Sequence, residues 1–281
     1  WWTTPPAHGS AEMVRNYFSS VHLIANTTNK GFTGGNNDGL RLADELMRGC
    51  VDAQSRFLFL LNPDTEVQPG ALDLLSAYAQ ENASVGLIGP RLRYGDGSMQ
   101  LSRRRFPTLL TAMFESTWLQ RFAPRDVLHQ FYMHDQANDA PGDVDWVVGA
   151  AMFVRYESYR QVGLLDNENF FMYSEETDWC IRMKDAGWRV VYLPQAEVVH
   201  YEGRSSGQVS ALRMKLFNTS KVRYFAKHHG WLQAGVLRLW LLGQFAWQLG
   251  LEGTKWVLGN QREMRAVRIR AYLDVLRSGL R

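Results

Sequence analysis

Phe170-Phe171-Met172-Tyr173-Ser174-Glu175-Glu176-Thr177-Asp178-Trp179 is the stretch on which the reading of the chain turns. Three carboxylates fall within four residues, after an aromatic cluster and directly before a helix-period run of Cys180, Ile181, Met183 and Ala186 that Gly187 closes. Acids at a helix start are favoured by its free N–H groups, so a capped surface helix explains them without any function. Two neighbouring stretches weigh toward a function. Upstream, Arg56 to Leu61 is a continuous apolar run that reads as a buried strand and ends on the polar turn Asn62-Pro63-Asp64. Downstream, Arg189 to Pro194 reads as a strand, followed by Ala196-Glu197-Val198-Val199-His200. A carboxylate after one strand, an acid cluster before a helix and a His ending a third strand would meet at one edge of an open α/β sheet, where such sheets bind ligands.

The 281 residues, 46% hydrophobic and 21% charged, fit an ordinary globular protein of one large domain, or one domain plus a tail. The two cysteines, Cys50 and Cys180, are far apart and lack metal-ligand spacing, which points to a reducing compartment. The net charge of +3 is unevenly spread. From Arg204 to Arg281 there are 14 Lys and Arg against 3 Asp and Glu, a balance of +11 that leaves −8 for the rest. An acidic body with a basic tail suggests a nucleic acid or an anionic membrane surface as the tail's partner.

Residues 1–10 show no periodic element and carry two prolines. From Ser10 the pattern predicts a helix with Ala11, Val14 and Phe18 on one face, then a short strand at Val21 to Ile24. Asn29 to Gly39 reads as a glycine-rich loop opening a helix from about Leu40 to Met47; such a loop is either a tight turn or a phosphate cradle. The strand at Arg56 to Leu61 and an amphipathic helix entered at Gln68-Pro69-Gly70 and reaching about Gln80 form a βα unit. Val85 to Ile88 is a short buried strand and Tyr94-Gly95-Asp96-Gly97 a hairpin turn. Arg103-Arg104-Arg105 reads as a solvated face rather than a phosphate contact, and Leu109 to Leu119 as helical. Asp143 to Val154 reads as a strand interrupted by Gly149-Ala150-Ala151, small residues that let a ligand approach the backbone.

Asn29 to Asn37, Leu60 to Thr65, Gly89-Pro90-Arg91-Leu92, Trp146 to Phe153, Gly163 to Asp178 and Val199-His200 follow one another in an order that resembles the family 2 glycosyltransferases of the GT-A fold, and within them the rhamnosyltransferase-like branch. The resemblance covers roughly residues 10–225. It implies a Rossmann-like mixed sheet flanked by helices, an α/β fold, followed by a C-terminal helical tail.

The resemblance also implies roles. Asn62-Pro63-Asp64 stands at the family's DxD position, so Asp64 would bind Mg2+ or Mn2+ lying on a nucleotide diphosphate, with Asn62 in place of the first acid. The acid cluster matches the Glu-Asp motif, whose second residue is the base: by position Glu176, with Glu175 before it and Asp178 as the competing candidate. His200 matches the family's His after the last core strand and would be a further metal ligand or a hydrogen-bonded structural residue. Gly34, Gly35 and Asn36 would line the donor site, and Trp146, Gly149 and Ala150 the floor shared by donor sugar and acceptor. The family's first strand and helix have no counterpart at the start of the chain, and only Gly9-Ser10 of the base-gripping loop survives. That departure implies either an N-terminally truncated chain or a relative that has lost half of its nucleotide site.

Leu239 to Leu251 is a charge-free apolar stretch of 13 residues, short of the roughly 20 needed to span a bilayer. Trp231, Trp240, Trp247 and Trp256 are interleaved with Arg238 and Lys255, and a basic helical pattern runs from Arg262 to Arg281. The tail, 231–281, is therefore read as a basic amphipathic helix lying on the membrane, with a helical pair packed on the body as the alternative, beside a glycosyltransferase domain over 1–230. No readout motif accompanies the charge, so nucleic acid is not the expected partner. The expected protein is an inverting, metal-dependent glycosyltransferase. It would take a dTDP- or UDP-sugar, rhamnose or another deoxyhexose, to a lipid-linked or polysaccharide acceptor, and sit in the cytoplasm on the inner face of the plasma membrane. The alternative is a non-catalytic sugar- or partner-binding relative.

Overall fold

The computed structural model describes residues 2–3, 9–48, 56–201 and 210–281. Residues 4–8 and Cys50, which enter the sequence reading, lie outside them. Two compact units are formed: Trp1–Phe106 with Tyr132–Glu202, and Pro107–Phe131 with Gly203–Arg281. The chain begins with β1 (Trp2–Thr3), α1 (Ser10–Tyr17), β2 (Ile24–Ala25) and α2 (Gly31–Met47). Then come β3 (Phe57–Leu61), β4 (Thr65–Val67), α3 (Ala71–Glu81), β5 (Val85–Arg93), β6 (Met99–Gln100) and β7 (Arg103–Arg104). A helical insertion belonging to the second unit follows: α4 (Leu109–Phe114), a 3-10 turn at Trp118–Phe122 and α5 (Arg125–Phe131). The first unit resumes with β8 (Gly142–Asp143), β9 (Trp146–Val147), β10 (Ala151–Arg155), α6 (Tyr156–Val162), α7 (Glu175–Asp185) and β11 (Arg189–His200). The chain closes with α8 (Ser210–His228), α9 (Gly230–Val257) and α10 (Arg262–Ser278).

The first unit is built on a seven-stranded mixed sheet in the order β3-β10-β5-β11-β4, with β6 on β5 and β8 on β11. β11 runs parallel to β5, while β10 is antiparallel to both β3 and β5. Side chains alternate across a strand, and here both faces are covered, which is why these strands read as continuous apolar runs. Leu58, Leu60, Met152 and Val154 face one way, against Leu40 of α2, Tyr159 of α6 and Trp179 and Met183 of α7. Phe57, Phe59 and Phe153 face the other, against Ala71, Leu75 and Ala79 of α3. The expected mixed sheet flanked by helices is thus present.

Several local expectations are corrected. The glycine-rich segment is helical from Gly31, not a loop up to Leu40. Loop chemistry is overruled there by tertiary bonds: fully buried Asn37 donates from Nδ2 to the Leu165 carbonyl (2.8 Å) and accepts the Leu165 N–H at Oδ1 (3.0 Å). Arg103 is buried rather than on a solvated face. Its guanidinium donates to the carbonyls of Met133 (3.2 Å), Gln136 (2.7 Å) and Ala137 (2.6 Å) and to Asn138 Oδ1 (2.5 Å), closing the chain that returns to the sheet. Phe18 lies beyond the end of α1 and is exposed. The short strand falls at Ile24–Ala25, β5 continues to Arg93, and β11 runs unbroken through Pro194. The helix expected over Leu109 to Leu119 stops at Phe114, because Glu115 is extended and Ser116 has φ 57°.

In the second unit α8, α9 and α10 pack on one another around Phe225, Leu237, Leu241 and Val275, all with essentially no exposure. Buried Lys221 donates to the Glu115 carbonyl (2.9 Å) and pairs with its carboxylate (3.2 Å), and Glu252 pairs with Arg265 at 2.6 Å. α8 and residues 107–131, which a boundary at residue 230 leaves in the first domain, belong to this second unit. No helix of the described residues is long and apolar enough to cross a membrane.

Asn37→Ala strips both partners from the backbone of Leu165. We expect it to cost about 2–4 kcal/mol, seen in urea denaturation as a lower midpoint at unchanged slope.

Candidate active site

β3 delivers the chain to the turn Asn62-Pro63-Asp64-Thr65, and the turn is fixed from four sides. Asn62 donates its N–H to the Ala150 carbonyl (2.9 Å), and its own carbonyl accepts the Thr65 N–H (3.2 Å) and hydroxyl (2.7 Å). The Asp64 carbonyl accepts the N–H of Tyr201 (2.9 Å). β4 then pairs antiparallel with the end of β11 so that Thr65 stands opposite His200. That register, rather than sequence proximity, brings His200 Nε2 within 3.4 Å of Asp64 Oδ1. The other ring nitrogen, Nδ1, lies 3.0 Å from Gln100 Oε1 on β6. Asn62 Oδ1 is covered and has no hydrogen-bond partner among the described residues.

The acids begin α7, entered through Tyr173 and Ser174, which have φ 71° and 69°. Glu175 is buried, and both it and Glu176 carry a covered Oε2 with no partner among the described residues. A side-chain carbon on Gly149 would lie 3.6 Å from Glu176 Cβ and 3.5 Å from the ring of Phe32, on the first turn of α2. Gly149 and Ala150 are adjacent, so one short connection backs onto Glu176 and holds the Asn62 turn. Gly31 touches the Phe171 carbonyl where any side chain would collide, and the Thr33 N–H points at the same oxygen (3.4 Å). The start of α2, with Gly34, Gly35 and buried Asn36, is thereby set against the segment leading into α7; Asn36 itself donates to the Phe32 carbonyl (2.9 Å).

Asp178, the competing candidate for the base, is taken up elsewhere. It has no exposure and pairs with Arg182 Nε at 2.9 Å, while the rest of that guanidinium donates to the Val162 and Leu164 carbonyls. It ties α7 to the preceding loop and is not presented to a ligand. Trp146 is half-buried, and its indole N–H donates to the Arg105 carbonyl (2.9 Å). Sequence reading missed Gln100, Phe32 and buried Thr33, whose Oγ1 has no partner. Gln100 left a signal: it is a polar residue at the inward position of a hairpin strand, next to outward Met99.

Burial pushes Glu176 up to about 7, against the lowering pull of N–H groups at the start of α7. Burial, reinforced by the charge of Glu176, drives Glu175 well above the carboxylate range. Two acids so placed share the burden of a single charge near neutral pH.

Among the described residues no group of three or more His, Cys, Asp and Glu could hold a metal ion. Asp64, His200 and the unpartnered oxygen of Asn62 nevertheless fit a divalent cation that takes its remaining oxygens from a diphosphate and water, since hard cations accept carboxylate and amide oxygens and Mn2+ also accepts imidazole.

The mixed sheet flanked by helices is the GT-A glycosyltransferase fold. Residues 10–217 match the family model described as glycosyltransferase like family 2, and the chain belongs to that family and is a glycosyltransferase. It is similar to the N-acetylglucosaminyl-diphospho-decaprenol L-rhamnosyltransferase of Mycobacterium tuberculosis, 30% identical over 240 residues, 85% of this chain and 77% of that one. It is also similar to the low-salt glycan biosynthesis hexosyltransferase Agl10 of Haloferax volcanii, 28% identical over 69% of this chain and 56% of that one. The first of these relatives places it in the rhamnosyltransferase-like branch. Its fold is like that of GalNAc-T7, solved with UDP, GalNAc and Mn2+, with a TM-score of 0.51 at 13% identity over 78% of this chain and 38% of that one.

Glu176 is held more tightly as the protonated acid in the folded chain than in the unfolded one. Its protonation supports the fold fully below about 4.5, and that support is lost as pH rises through about 7. The neutral isostere Glu176→Gln should therefore be more stable than the parent at pH 8, by about 1–3 kcal/mol, and equal to it at pH 4. Urea denaturation at the two pH values measures this.

Proposed function

We propose that the chain transfers a deoxyhexose, rhamnose in the first instance, from a dTDP- or UDP-linked donor to a lipid-linked or glycan acceptor in cell-surface glycan synthesis, with inversion at the anomeric carbon. The observation that carries this reading is the Gly149-Ala150 connection, which backs onto Glu176 and grips the Asp64 turn. The rhamnosyltransferase relative, whose name specifies an N-acetylglucosaminyl-diphospho-decaprenol acceptor, supports the sugar and the acceptor class.

Glu176 takes the proton of the acceptor hydroxyl as that oxygen forms its bond to the anomeric carbon. The bond from that carbon to the diphosphate breaks on the opposite face, which inverts the centre. A carboxyl raised to about 7 is both partly ionised and basic enough at neutral pH, the compromise a general base requires. Glu175, buried beside it, is also pushed up, by burial and by the charge of Glu176, so a second negative charge in the site is disfavoured. Asp64, His200 and Asn62 are the residues that would hold Mg2+ or Mn2+; a cation there offsets the charge growing on the leaving diphosphate. Gly149 brings the backbone against Glu176 and Phe32, where a side-chain carbon would stand in contact with both.

The second unit supports a place on a membrane. On α9, exposed Leu232, Val236, Leu239, Trp240, Trp247 and Leu251 share one side at 3.6 residues per turn, opposite buried Ala234, Leu237, Leu241 and Phe245. Exposed Arg262, Arg268, Arg270 and Arg277 on α10 add positive charge. We infer that this unit lies on the anionic inner face of the plasma membrane, where a lipid-linked acceptor is found, with nucleic acid excluded as a partner.

Glu176→Gln should lower kcat for nucleoside diphosphate release in the presence of acceptor about 10²–10⁴-fold while nucleotide affinity, measured by calorimetry with Mn2+, stays the same. A loss below tenfold removes Glu176 from the base role. In flotation assays the full chain should rise with vesicles containing anionic phospholipid. Leu239→Glu combined with Trp247→Glu, two exposed changes, should leave most of it at the bottom; a chain that floats equally well with both changes does not use this face.

A further inference from the structure

Gln100 lies on β6, a two-residue strand at the end of the sheet, and nothing in the transfer chemistry above uses it. It is 8% exposed and its contact, His200, is 6% exposed. A buried amide is costly unless its polar atoms are bonded, so its position calls for a purpose. Its place is rigid. Gln100 pairs with Leu92 on β5, and the turn between these strands is closed by the Tyr94 N–H on the Ser98 carbonyl (2.8 Å) and the Gly97 N–H on the Tyr94 carbonyl (2.9 Å).

The two ring nitrogens of His200 stand in different situations. Nδ1 is 3.0 Å from Gln100 Oε1, at the mode for an N–H···O bond. Nε2 is 3.4 Å from Asp64 Oδ1, beyond the usual range for such a bond. A neutral imidazole carries one proton, and the well-formed bond claims it. With the proton on Nδ1, Nε2 presents a lone pair toward a carboxylate. Two acceptors that close repel each other unless a positive charge lies beside them, and that is the arrangement a cation needs.

We propose that Gln100 is a positioning residue: its side-chain oxygen accepts a hydrogen bond from the Nδ1–H of His200, fixing the tautomer and ring orientation that leave Nε2 free beside Asp64 for the divalent cation of the donor. This rests on the reading of Asp64 and His200 as the cation-holding pair. It adds the residue that makes the His competent, in the way that ligating imidazoles are generally held by a partner on the other ring nitrogen.

The test uses the full chain in three forms: the parent, Gln100→Leu, and Gln100→Glu, whose carboxylate keeps an acceptor on Nδ1. Long-range proton–nitrogen correlation spectra of ¹⁵N-histidine-labelled, metal-free protein read the His200 tautomer, and paramagnetic resonance titration reads Mn2+ affinity in the presence of UDP. We expect an Nδ1-protonated ring in the parent and in Gln100→Glu. In Gln100→Leu we expect loss of that single tautomer and Mn2+ affinity lower by about 10–100-fold, restored to within a few-fold in Gln100→Glu. An Nε2-protonated ring in the parent, or equal Mn2+ affinity in Gln100→Leu, overturns the role of Gln100 and leaves the cation pair standing. An Nδ1-protonated ring in a parent chain that binds no Mn2+ overturns the cation pair itself, and the role with it. If Gln100→Leu does not fold, Gln100→Glu decides alone: an Nε2-protonated ring in it overturns the proposal.

Discussion

Asn62 donates its backbone N–H to the carbonyl of Ala150, and the residue before Ala150 has no side chain to keep Glu176 away. The geometry of the site follows from those two adjacent facts. β10 is hydrogen-bonded to β3 over its whole length, with Ala151 opposite Leu61, so the connection entering β10 can neither slide nor lift relative to the turn leaving β3. A site for sugar transfer needs its proton acceptor and its diphosphate-binding turn at a fixed separation, because the incoming oxygen and the outgoing diphosphate lie on opposite faces of one carbon. In the proposed transfer it is the β10–β3 ladder that sets the separation of Glu176 from the Asp64 turn. A side-chain carbon at 149 would stand at van der Waals contact with both Glu176 and Phe32, so the backbone there touches the acid and the start of α2 together.

The acid pair sits in a place that stability alone would not choose. Both carboxyls have a covered oxygen without a partner, and burial raises both proton affinities. Asp178, two residues on, shows the stable alternative: equally buried, but paired with Arg182 and tied through it to two backbone carbonyls. One helix thus carries a satisfied acid that anchors it and unsatisfied acids in its covered first turn. The difference between anchoring and chemistry lies in the partner, not in the residue type.

The same contrast explains what was legible in the sequence. The strands at Phe57–Leu61 and Ala151–Arg155, buried on both faces, announced themselves as apolar runs, and the turn after the first placed Asp64 at a strand end. His200 could be read as the end of a strand, but its meeting with Asp64 depends on an antiparallel register with β4, which a three-residue strand hardly signals. The helix from Gly31 was hidden because Gly34, Gly35, Asn36 and Asn37 have loop chemistry. What makes them helical is a pair of hydrogen bonds from Asn37 to a residue 128 positions away. Arg103 looked like solvated charge because the carbonyls that bind it lie in a segment about 30 residues on. Gln100 was passed over because a glutamine bears no charge and belongs to no motif.

The entry to α7 shows how the fold sustains such a site. Tyr173 and Ser174 both take left-handed backbone conformations, each costing an L-residue about 1–2 kcal/mol, and the unpaired acids add a desolvation cost. Trp179, Cys180 and Met183, all fully buried one turn later, offset these terms: a buried aromatic or aliphatic side chain contributes about 1.5–3 kcal/mol, and the Trp179 indole adds a bond to the Gly163 carbonyl at 2.9 Å. The first turn of α7 is held in an unfavourable state by the packing of its second. Removing the strain by relaxing the entry would let the acids turn toward water, where their proton affinities would fall to ordinary values and Glu176 would become too weak a base for a hydroxyl at neutral pH. Burial and raised proton affinity at Glu176 are therefore one property seen two ways, and the packing of Trp179 holds the helix that carries it.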